Sequence, residues 1–520
     1  MKKIFTLTLV ALCVLQAQAQ SAGDALRYSQ NFYMGTARSA AMGNAMTALG
    51  GDFGALSINP AGSAIYPFSE IVFTPALHGT TTQSNYLGNT LNETRVRPGF
   101  TNLGYIGSYP TGNRSSRGII SFNIAAGFNA LNNFTESFRA TGSTAESSWL
   151  SSLATQLDGV VHATDMDWND QRNPFYNSAA SWKALLAWNS SLLDTLHGSD
   201  GWGYKGANEI YFGDDSFGMP SAMRQEYSRK TQGNVGEYLI NGSVNISNKF
   251  FAGVSLGFQS VLYKHSEYYS ETAERPNDFS GQTDFGGFTH NYNLTTSGVG
   301  FNMKLGIIFV PVKFLRLGAS IHTPTWMRLH DQWDESIEAR FTAGTPQVIS
   351  LESPIGEYSY KVRTPFRWNV GGALTLGSFG ALSVDYEQAA YDKIRINSAD
   401  KYDSSFTEDN NFIRRQYQTA HNLRLGAEFN LMPFISLRAG YAYYGSPEKD
   451  YETENHIVSG GIGYQNKGFF VDLTYLQRVE RTEYFSLYND VISQDYTMLA
   501  PIGEQISSNW KFLLSFGFRF

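Results

Sequence analysis

The chain has 520 residues, of which 16% are charged and 14% aromatic, with 50 glycines and a formal net charge of −7. Charged residues are scarcer than the roughly 25% of an average soluble domain, and the aromatic and glycine content favours strands over a helical enzyme. The negative charge argues against nucleic acid as a partner, because phosphate recognition needs an excess of Lys and Arg.

Residues 1–19 have the pattern of a secretory signal peptide. Lys2 and Lys3 precede an apolar run from Ile4 to Leu15, and Ala17-Gln18-Ala19 is a small-x-small cleavage site. The run is shorter than the about 20 residues that a membrane-spanning helix needs. We expect cleavage after Ala19, which removes Cys13, the single cysteine. The mature chain would then contain no disulfide, thiolate metal site or cysteine nucleophile.

No later apolar run is long enough for a transmembrane helix, so an exported membrane protein of this sequence has to cross the bilayer with closed strands. From Trp510 to Phe520, the even positions hold only large apolar residues and the odd positions mostly small or charged ones. Since side chains alternate between the two faces of a strand, this segment predicts one apolar and one polar face. The aromatic strand with its terminal Phe resembles the C-terminal signal that the barrel-assembly machinery recognises. The resemblance implies that Phe516, Phe518 and Phe520 form this signal.

The same alternation recurs along the chain in fourteen segments, which is an even number. They are residues 70–77, 101–109, 118–131, 237–246, 251–263, 297–309, 314–322, 358–376, 381–396, 422–430, 435–444, 456–464, 469–479 and 510–520. Short connections alternate with long polar ones, which are residues 80–98, 132–236, 264–296, 323–357, 397–421, 445–455 and 480–509. This parity is typical of an outer-membrane barrel. We therefore predict an all-β fold, a 14-stranded antiparallel transmembrane β-barrel over residues 68–520.

The predicted lumen receives side chains of both charge signs when the apolar face is turned outward. They are Arg316, His322, Arg367, Asn369, Asp385, Glu387, Arg424, Glu428, Arg438, Asp472 and Lys511. The mixture predicts mutually paired charges that stiffen the wall. A gated charge relay remains an alternative, although no residue singles it out.

Residues 132–236 form a long insertion with two runs of helical apolar spacing. The first run contains Trp149, Leu150, Leu153, Leu157 and Val160, and the second contains Trp182, Leu185, Leu186, Leu192, Leu193 and Leu196. The helices could pack together as a cap, or they could form an exposed groove that captures a hydrophobic ligand through Trp182, Leu185, Leu186 and Leu193. The acidic stretch at residues 165–170 lacks the Glu and Gly of a calcium loop, so we predict no metal site and no cofactor.

Residues 20–67, here called the hatch, precede the first strand and resemble neither signal nor wall. The segment from Ala37 to Leu49 predicts a tightly packed helix with small residues such as Ala41 and Gly43, ended by Gly50 and Gly51. The sequence Asn59-Pro60-Ala61-Gly62 predicts a turn. A phosphate-binding loop is disfavoured, because the Lys and Ser or Thr that should follow a glycine are missing. We predict that the hatch plugs the barrel.

A secreted chain with a small-residue N-terminal segment ending in NPAG, followed by strands to a terminal Phe, resembles the FadL family of long-chain fatty-acid and aromatic-hydrocarbon transporters. Residues 363–372, 382–386 and 421–443 also match its pattern. The resemblance implies a hatch motif at Asn59, Pro60 and Ala61 and passive uptake of hydrophobic small molecules. It further implies lateral release at a kinked third strand, where Gly127 is the candidate kink because glycine weakens strand pairing.

The implied location is the Gram-negative outer membrane. The implied partners are a hydrophobic ligand, outer-membrane lipid and lipopolysaccharide, and the barrel-assembly machinery. A FadL-like binding or shuttle component of a protein secretion apparatus is an alternative. An outer-membrane hydrolase is a remote one, with His322, His290, and His330 beside Asp331 as candidates. We expect no enzyme and no catalytic residue, because no pattern indicates a base with its orienting group.

Overall fold

The computed structural model describes residues 22–112, 117–169, 171–212, 217–344, 346–399, 406–492 and 497–520. The predicted signal peptide with Cys13, most of the turn at residues 111–117, and Asp170 lie outside these ranges. Within them, no helix is both long and apolar enough to cross a bilayer.

The helices are short and belong to the hatch, the insertion and the loops rather than to the wall of the barrel. The α-helices are α1 (Ala22–Ser29), α2 (Ala37–Ala41), α3 (Trp149–Leu157), α4 (Trp182–Asn189) and α5 (Thr407–Gln416). The 3-10 helices are Phe53–Ser57, Pro60–Ile65, Ala163–Asp165, Pro174–Tyr176, Pro276–Phe279 and Tyr391–Lys393.

The strands fall into two halves of the chain, separated at the long strand β11. The first half contains β1 (Glu70–Tyr86), β2 (Asn89–Pro110), β3 (Ile119–Asn133), β4 (Glu136–Thr144), β5 (Leu193–Thr195), β6 (Tyr204–Gly206), β7 (Ile210–Tyr211), β8 (Phe217–Gly218), β9 (Met223–Ile246), β10 (Phe250–Ala273) and β11 (Phe285–Val312). The second half contains β12 (Leu315–His322), β13 (Trp326–Phe341), β14 (Val348–Glu352), β15 (Gly356–Arg363), β16 (Arg367–Thr375), β17 (Gly380–Ala390), β18 (Arg395–Ser398), β19 (Thr419–Met432), β20 (Ile435–Tyr444), β21 (Asn455–Gln465), β22 (Phe469–Ser486), β23 (Val491–Ile492), β24 (Thr497–Met498) and β25 (Ile502–Arg519).

Nineteen of these strands form one antiparallel sheet that closes on itself. Its fourteen positions are β1, β2, β3 with β4, β9, β10, β11, β12 with β13, β15 with β16, β17 with β18, β19, β20, β21, β22 and β25, while β14 pairs with the end of β13 beyond β15. The seam pairs Glu70 with Arg519 and continues to Asn85 with Glu504. The predicted 14-stranded barrel is confirmed, and each of the fourteen predicted segments lies at a different position.

The outside of the wall is apolar, as β11 illustrates. Val299, Phe301, Leu305 and Ile307 are 40–67% exposed, whereas Asn302 between them is 1% exposed. A soluble protein would bury the apolar side chains and expose the polar one. The inverted arrangement is that of a barrel whose outer face meets lipid.

The long connections differ from the prediction, because residues 80–98, 264–296 and 323–357 are mostly strand. The β1–β2 hairpin, for example, turns only at Leu87 and Gly88, which both have positive φ. Beyond the lipid-facing belt, strand pairing continues while both faces meet polar surroundings or packed loops. The alternation that marks a strand in sequence is lost there, although the strand is not.

Two apolar clusters close the end of the barrel that carries the long connections. Inside the wall, Leu26 and Tyr28 of α1 pack with Tyr360 and with Ile413 of α5. Above it, the insertion packs α3 and α4 against Phe285 and Phe288.

We predict that Leu305→Arg lowers the free energy of unfolding in lipid vesicles by about 2–4 kcal/mol, because Leu305 faces the middle of the belt. Urea titration of the vesicle-inserted protein measures this. The control Thr295→Arg, ten residues higher on the same strand, should cost at most about 1 kcal/mol. Equal losses would show that the belt does not face hydrocarbon.

Candidate functional site: the hatch and the wall break

The hatch fills the lumen with capped turns rather than with one helix. Thr36 caps α2 by accepting from Ser39 N, and Asp52 caps the next turn by accepting from Gly54 N at 2.8 Å. The predicted helix from Ala37 to Leu49 is wrong beyond Ala41. Gly43 and Asn44 take left-handed φ values of 60° and 58°, which end the helix.

The Asn59-Pro60-Ala61-Gly62 motif begins a 3-10 helix and is fully buried. Asn59 Nδ2 donates to the carbonyl oxygens of Thr47 at 2.6 Å and Ile307 at 3.1 Å, and Asn59 Oδ1 accepts from Ala61 N at 3.0 Å. Gly62 N donates to the Asn59 carbonyl oxygen, and the Gly62 carbonyl oxygen accepts from Gly51 N. One amide side chain therefore joins three stretches of backbone, two in the hatch and one in the wall.

Wall glycines allow the motif to approach the strands closely. A Cβ on Gly306 would lie 1.9 Å from Asn59 Oδ1, and one on Gly253 would lie 2.5 Å from the carbonyl oxygen of Pro60. Neither position accepts a larger side chain unless the hatch moves.

A buried ionic cluster holds the start of the hatch. Glu387 accepts from Arg367 at 3.0 Å and from Arg424 at 3.1 Å, and Tyr33 of the hatch donates to the same carboxylate at 3.1 Å. Arg367 also donates to the carbonyl oxygen of Ser29. Buried charges need such pairing, and here the pairing includes hatch atoms.

A second ionic cluster lies at the end of the barrel that carries the short turns. Glu428 binds Arg38 of the hatch and Arg438, and Arg438 also binds Asp472. The cluster borders a cavity of about 500 Å³ that opens on this side.

The remaining predicted lumen residues also face inward and contact the hatch or its neighbours. Arg316 donates to the carbonyl oxygen of Leu49, and Asp385 accepts from Thr47 N at 2.7 Å. Lys511 Nζ lies 2.9 Å from Met34 Sδ. The charges therefore do more than pair with one another, because they also bind hatch groups.

The wall has a break between β2 and β3. Pairing runs from Pro110 with Ser121 to Asn102 with Asn129, and within the described residues β2 pairs no further with β3 or β4. The register of β3 against β9 shifts between Ala130 and Asn132.

Beyond the break, β4 turns inward and lies against the inner face of β1. The hydroxyl groups of Thr80, Thr82 and Ser84 donate to the carbonyl oxygens of Thr135, Ser137 and Arg139. The side chains of β1 thus replace the lost backbone pairing of β4 on this side.

The hatch covers the edge of β3 that is exposed by the break. Phe32 N donates to the carbonyl oxygen of Leu131 at 2.8 Å, and Met34 N donates to that of Ala130 at 3.0 Å. Met34 packs with Phe128 and Ala130, and the Phe128 ring lies 5.2 Å from that of Phe100. The break is therefore lined by apolar groups.

Gly127 is not the kink. It pairs in regular register with Gly104 and Leu239, and a Cβ there would lie 2.6 Å from Cζ of Phe53. Gly127 makes room for the hatch, whereas the irregularity begins three residues later. The run Asn129-Ala130-Leu131-Asn132-Asn133, with three asparagines in a strand, was the available sequence signal.

The predicted capture residues do not form an open groove. Leu185 and Leu186 of α4 are fully buried in the cluster of the insertion, and Trp182 contacts Trp333 with ring centroids 5.3 Å apart. Leu193 lies in β5, because α4 ends at Asn189 and Ser191 has φ of 61°. Similarly, Val160 lies beyond α3 and is exposed.

Glu271, above the lipid-facing belt on β10, fixes the insertion to the wall. It accepts from Ser148 Oγ, Trp149 N, Tyr269 Oη and Gln225 Nε2 at 2.6–3.0 Å. Burial raises the pKa of Glu271, while these donors act in the opposite direction. Burial also raises the pKa of Glu209, which accepts from Ser151 Oγ within the insertion.

The three histidines proposed for catalysis lie apart. His322 contacts the carbonyl oxygen of Ile58 at 2.7 Å, and His290 contacts Glu335 at 2.9 Å. His330 is exposed on the outer face, whereas the adjacent Asp331 is buried on the inner one. In the acidic stretch, Asp165 pairs with Arg172 and Asp167 accepts from Trp188. The described part of the chain holds no group of three or more potential metal ligands.

The three C-terminal aromatic residues lie at the seam. Phe516 and Phe518 face outward at 38% and 61% exposure, and the backbone of Phe520 exchanges two hydrogen bonds with Ser69.

Comparison with solved structures agrees with this architecture. A Pseudomonas aeruginosa FadL homologue is 12% identical, with a TM-score of 0.50 over 94% of this chain and 100% of that chain. The chain has a FadL-type fold. The Pseudomonas putida toluene transporter TodX matches at 14% identity and TM-score 0.49, over 94% of this chain and 99% of that one. The Ralstonia pickettii toluene transporter TbuX matches at 12% identity and TM-score 0.47, again over 94% of this chain and 99% of that one. No protein-family model matches the chain, and no curated protein matches its sequence.

We predict that Asn59→Ala loosens the hatch of this FadL-type barrel. The change leaves the Ala61 N–H and two carbonyl groups without this partner. An unsatisfied buried polar group costs about 1–3 kcal/mol, so the free energy of local opening should fall by this amount. Hydrogen exchange of residues 36–66 should accelerate by about 5- to 150-fold, while the wall exchanges as before. The control Asn92→Ala, in the exposed β1–β2 hairpin, should leave hatch exchange unchanged; acceleration in both variants would contradict this role.

We also predict that Glu271→Ala releases the insertion. Four donors lose their acceptor, which should lower the local opening free energy by about 3 kcal/mol. Limited proteolysis should then cut within residues 145–222 while the barrel stays intact. Glu274→Ala removes an exposed carboxylate three residues away, and equal cleavage in this control would disprove the anchoring role of Glu271.

Proposed function

We propose that this chain is a channel of the Gram-negative outer membrane for passive uptake of hydrophobic small molecules, such as long-chain fatty acids or apolar aromatic compounds. The FadL-type fold and the apolar outer face support the membrane location. The sequence resemblance described above supports the class of ligand.

The observation that carries the proposal is the break between β2 and β3. An apolar molecule gains nothing from water at the open ends of a barrel, whereas a gap in the wall leads directly into lipid. The break is lined by Phe100, Phe128 and Ala130, and the hatch residues Phe32 and Met34 cover it. In our proposal, hatch movement uncovers the break, and the ligand leaves sideways into the bilayer.

The contacts of the hatch agree with a closed state. Behind Phe32 lies a cavity of about 50 Å³, which Leu476 and Lys511 also border. This volume is well below the roughly 300–1,000 Å³ of a typical ligand pocket. Ligand passage therefore requires the segment around Phe32 and Met34 to move away from the Glu387 cluster that binds Tyr33, while the hatch motif at Asn59 anchors a later part of the hatch to the wall.

A reversible cross-link between hatch and wall tests the proposal. The double variant Met34→Cys/Ala130→Cys places two thiols where Met34 N already donates to the Ala130 carbonyl oxygen, and Cys13 is the chain's only cysteine. Oxidised cells should take up a fluorescent long-chain fatty acid or radiolabelled toluene at the rate of a null strain. A reductant should restore uptake to the wild-type rate.

The matched control is Thr81→Cys/Thr94→Cys, a directly opposed pair in the β1–β2 hairpin that does not touch the hatch. Its oxidation should leave uptake unchanged. Full uptake of both probes with the hatch cross-link formed, as checked by gel mobility, would refute hatch gating; uptake equal to the null strain in unmodified cells would refute the channel role itself.

A further inference from the structure

One sector of the outer wall, from β9 to β18, carries three successive levels of distinct chemistry. The lowest level is the edge of the apolar belt, where one row of directly paired residues is aromatic. The row consists of Tyr238, Phe258, Phe301 and Trp326, each 40–55% exposed. Exposed aromatic rows mark the interface between hydrocarbon and lipid headgroups.

The second level is a group of four cations, here called the rim patch: Arg328, Lys361, Arg363 and Arg395. Arg328 pairs directly with Lys361, and Arg363 pairs directly with Arg395. Arg363 also lies opposite Trp326. Directly opposed residues share one face of a sheet, so all four side chains start from the outer face at the headgroup level.

Two like-charge pairs across neighbouring strands destabilise a sheet unless an anion offsets them. Among the described residues, Arg328 and Arg363 form no ion pair. Arg395 donates to the backbone carbonyls of Asp392 and Ile394. The Asp392 carboxylate pairs with Lys393 instead.

The rim patch does not continue past β18. On the next three strands, β19, β20 and β21, the outward positions near the upper ends are held by His421, Tyr443 and His456. A general preference for cations at the membrane edge would have placed Lys or Arg there too. This clustering of four cations contrasts with the net charge of the chain, which is −7.

The third level is a polar groove of about 560 Å³ on the same outer face. Two adjacent rows of directly paired residues line it. The lower row consists of Lys230, Ser266, Asn293 and Asp334. The upper row consists of Ser228, Tyr268, Asn291, Ser336 and Glu352. Asn293 donates to Asp334 at 3.0 Å, and the ring of Tyr268 is 37% exposed. Amide, carboxylate and hydroxyl groups beside an exposed ring suit the hydroxyl groups and apolar faces of sugars.

We propose that this sector binds a phosphorylated glycolipid of the outer leaflet. Its acyl chains lie along the belt, its phosphates bind the rim patch, and its sugars occupy the groove. From Arg328 to Asp334 the strand spans roughly 20 Å, which separates the phosphate level from the sugar level. Arginine and phosphate form charge-assisted hydrogen bonds, often two at a time, and these offset the opposed charges.

The test uses purified full-length protein in nanodiscs and three defined probes: core-bearing lipopolysaccharide, diphosphorylated lipid A without core sugars, and the same lipid A after phosphatase treatment. Binding is measured by native mass spectrometry and by titration. Wild type should bind the three with falling affinity in that order, and removal of the phosphates should cost at least tenfold.

The triple variant R328Q/K361Q/R363Q should weaken binding of both phosphorylated probes at least tenfold and leave the dephosphorylated lipid unaffected. The matched control K249Q/K313Q/K467Q removes the same charge from the turns at the opposite rim and should bind like wild type. Equal weakening in both variants, or none in either, would overturn the assignment of phosphates to the rim patch.

The groove is tested separately by N293A/D334A. This variant should reduce affinity for core-bearing lipopolysaccharide to that for lipid A, with lipid A binding unchanged. Unchanged affinity for the core-bearing probe would overturn the sugar site. Neither result depends on hatch movement, so failure here and failure of the channel proposal are distinguishable.

Discussion

A buried backbone has to find hydrogen-bond partners, and the hatch, which has little regular secondary structure, supplies only part of them itself. The wall supplies others. Asp385 binds Thr47 N, Asn241 binds the Pro60 carbonyl oxygen, and Ser515 binds Ala37 N. This requirement explains why the lumen is polar, while the outer face needs only to be apolar.

The same requirement governs the break in the wall. Where β2 separates from β3, the edge of β3 would present unpaired backbone groups toward lipid, which is costly in a medium without water. Phe32 and Met34 satisfy the carbonyl groups of Leu131 and Ala130 there. The hatch therefore completes the wall at this point and also fills the lumen. In the proposed route it contacts both the lumen and the break through which the ligand would leave.

The strand positions and the lumen residues followed from the sequence because a lipid-facing wall imposes a period of two. Arg367, Glu387 and Arg424 could be placed inside by counting alone. The lengths of β10, β11 and β13 could not, since both faces are polar above the belt. The position of the break also escaped prediction, because it depends on how Ala130 and Asn132 align with β9.

The burial of the insertion helices could not be predicted from the sequence either. The spacing of Leu185 and Leu186 indicates a helix with an apolar face but does not say what covers that face, and the cluster of the insertion covers it. The rim patch needed the register as well. Arg328 and Lys361 are 33 positions apart in sequence, and only strand pairing sets them side by side.

The seam between β1 and β25 has a consequence for biogenesis. Ala37 N in the hatch bonds to Ser515 Oγ, 478 positions later, and Thr74 bonds to the same hydroxyl. A chain still emerging from export carries the hatch first and its last partner nearly at the end, so the hatch stays incompletely bonded until the final strand is in place. Such distant pairings form slowly. Completion of the plug and closure of the cylinder are thus one event, and a barrel that leaves its last strand unpaired is also one that leaks.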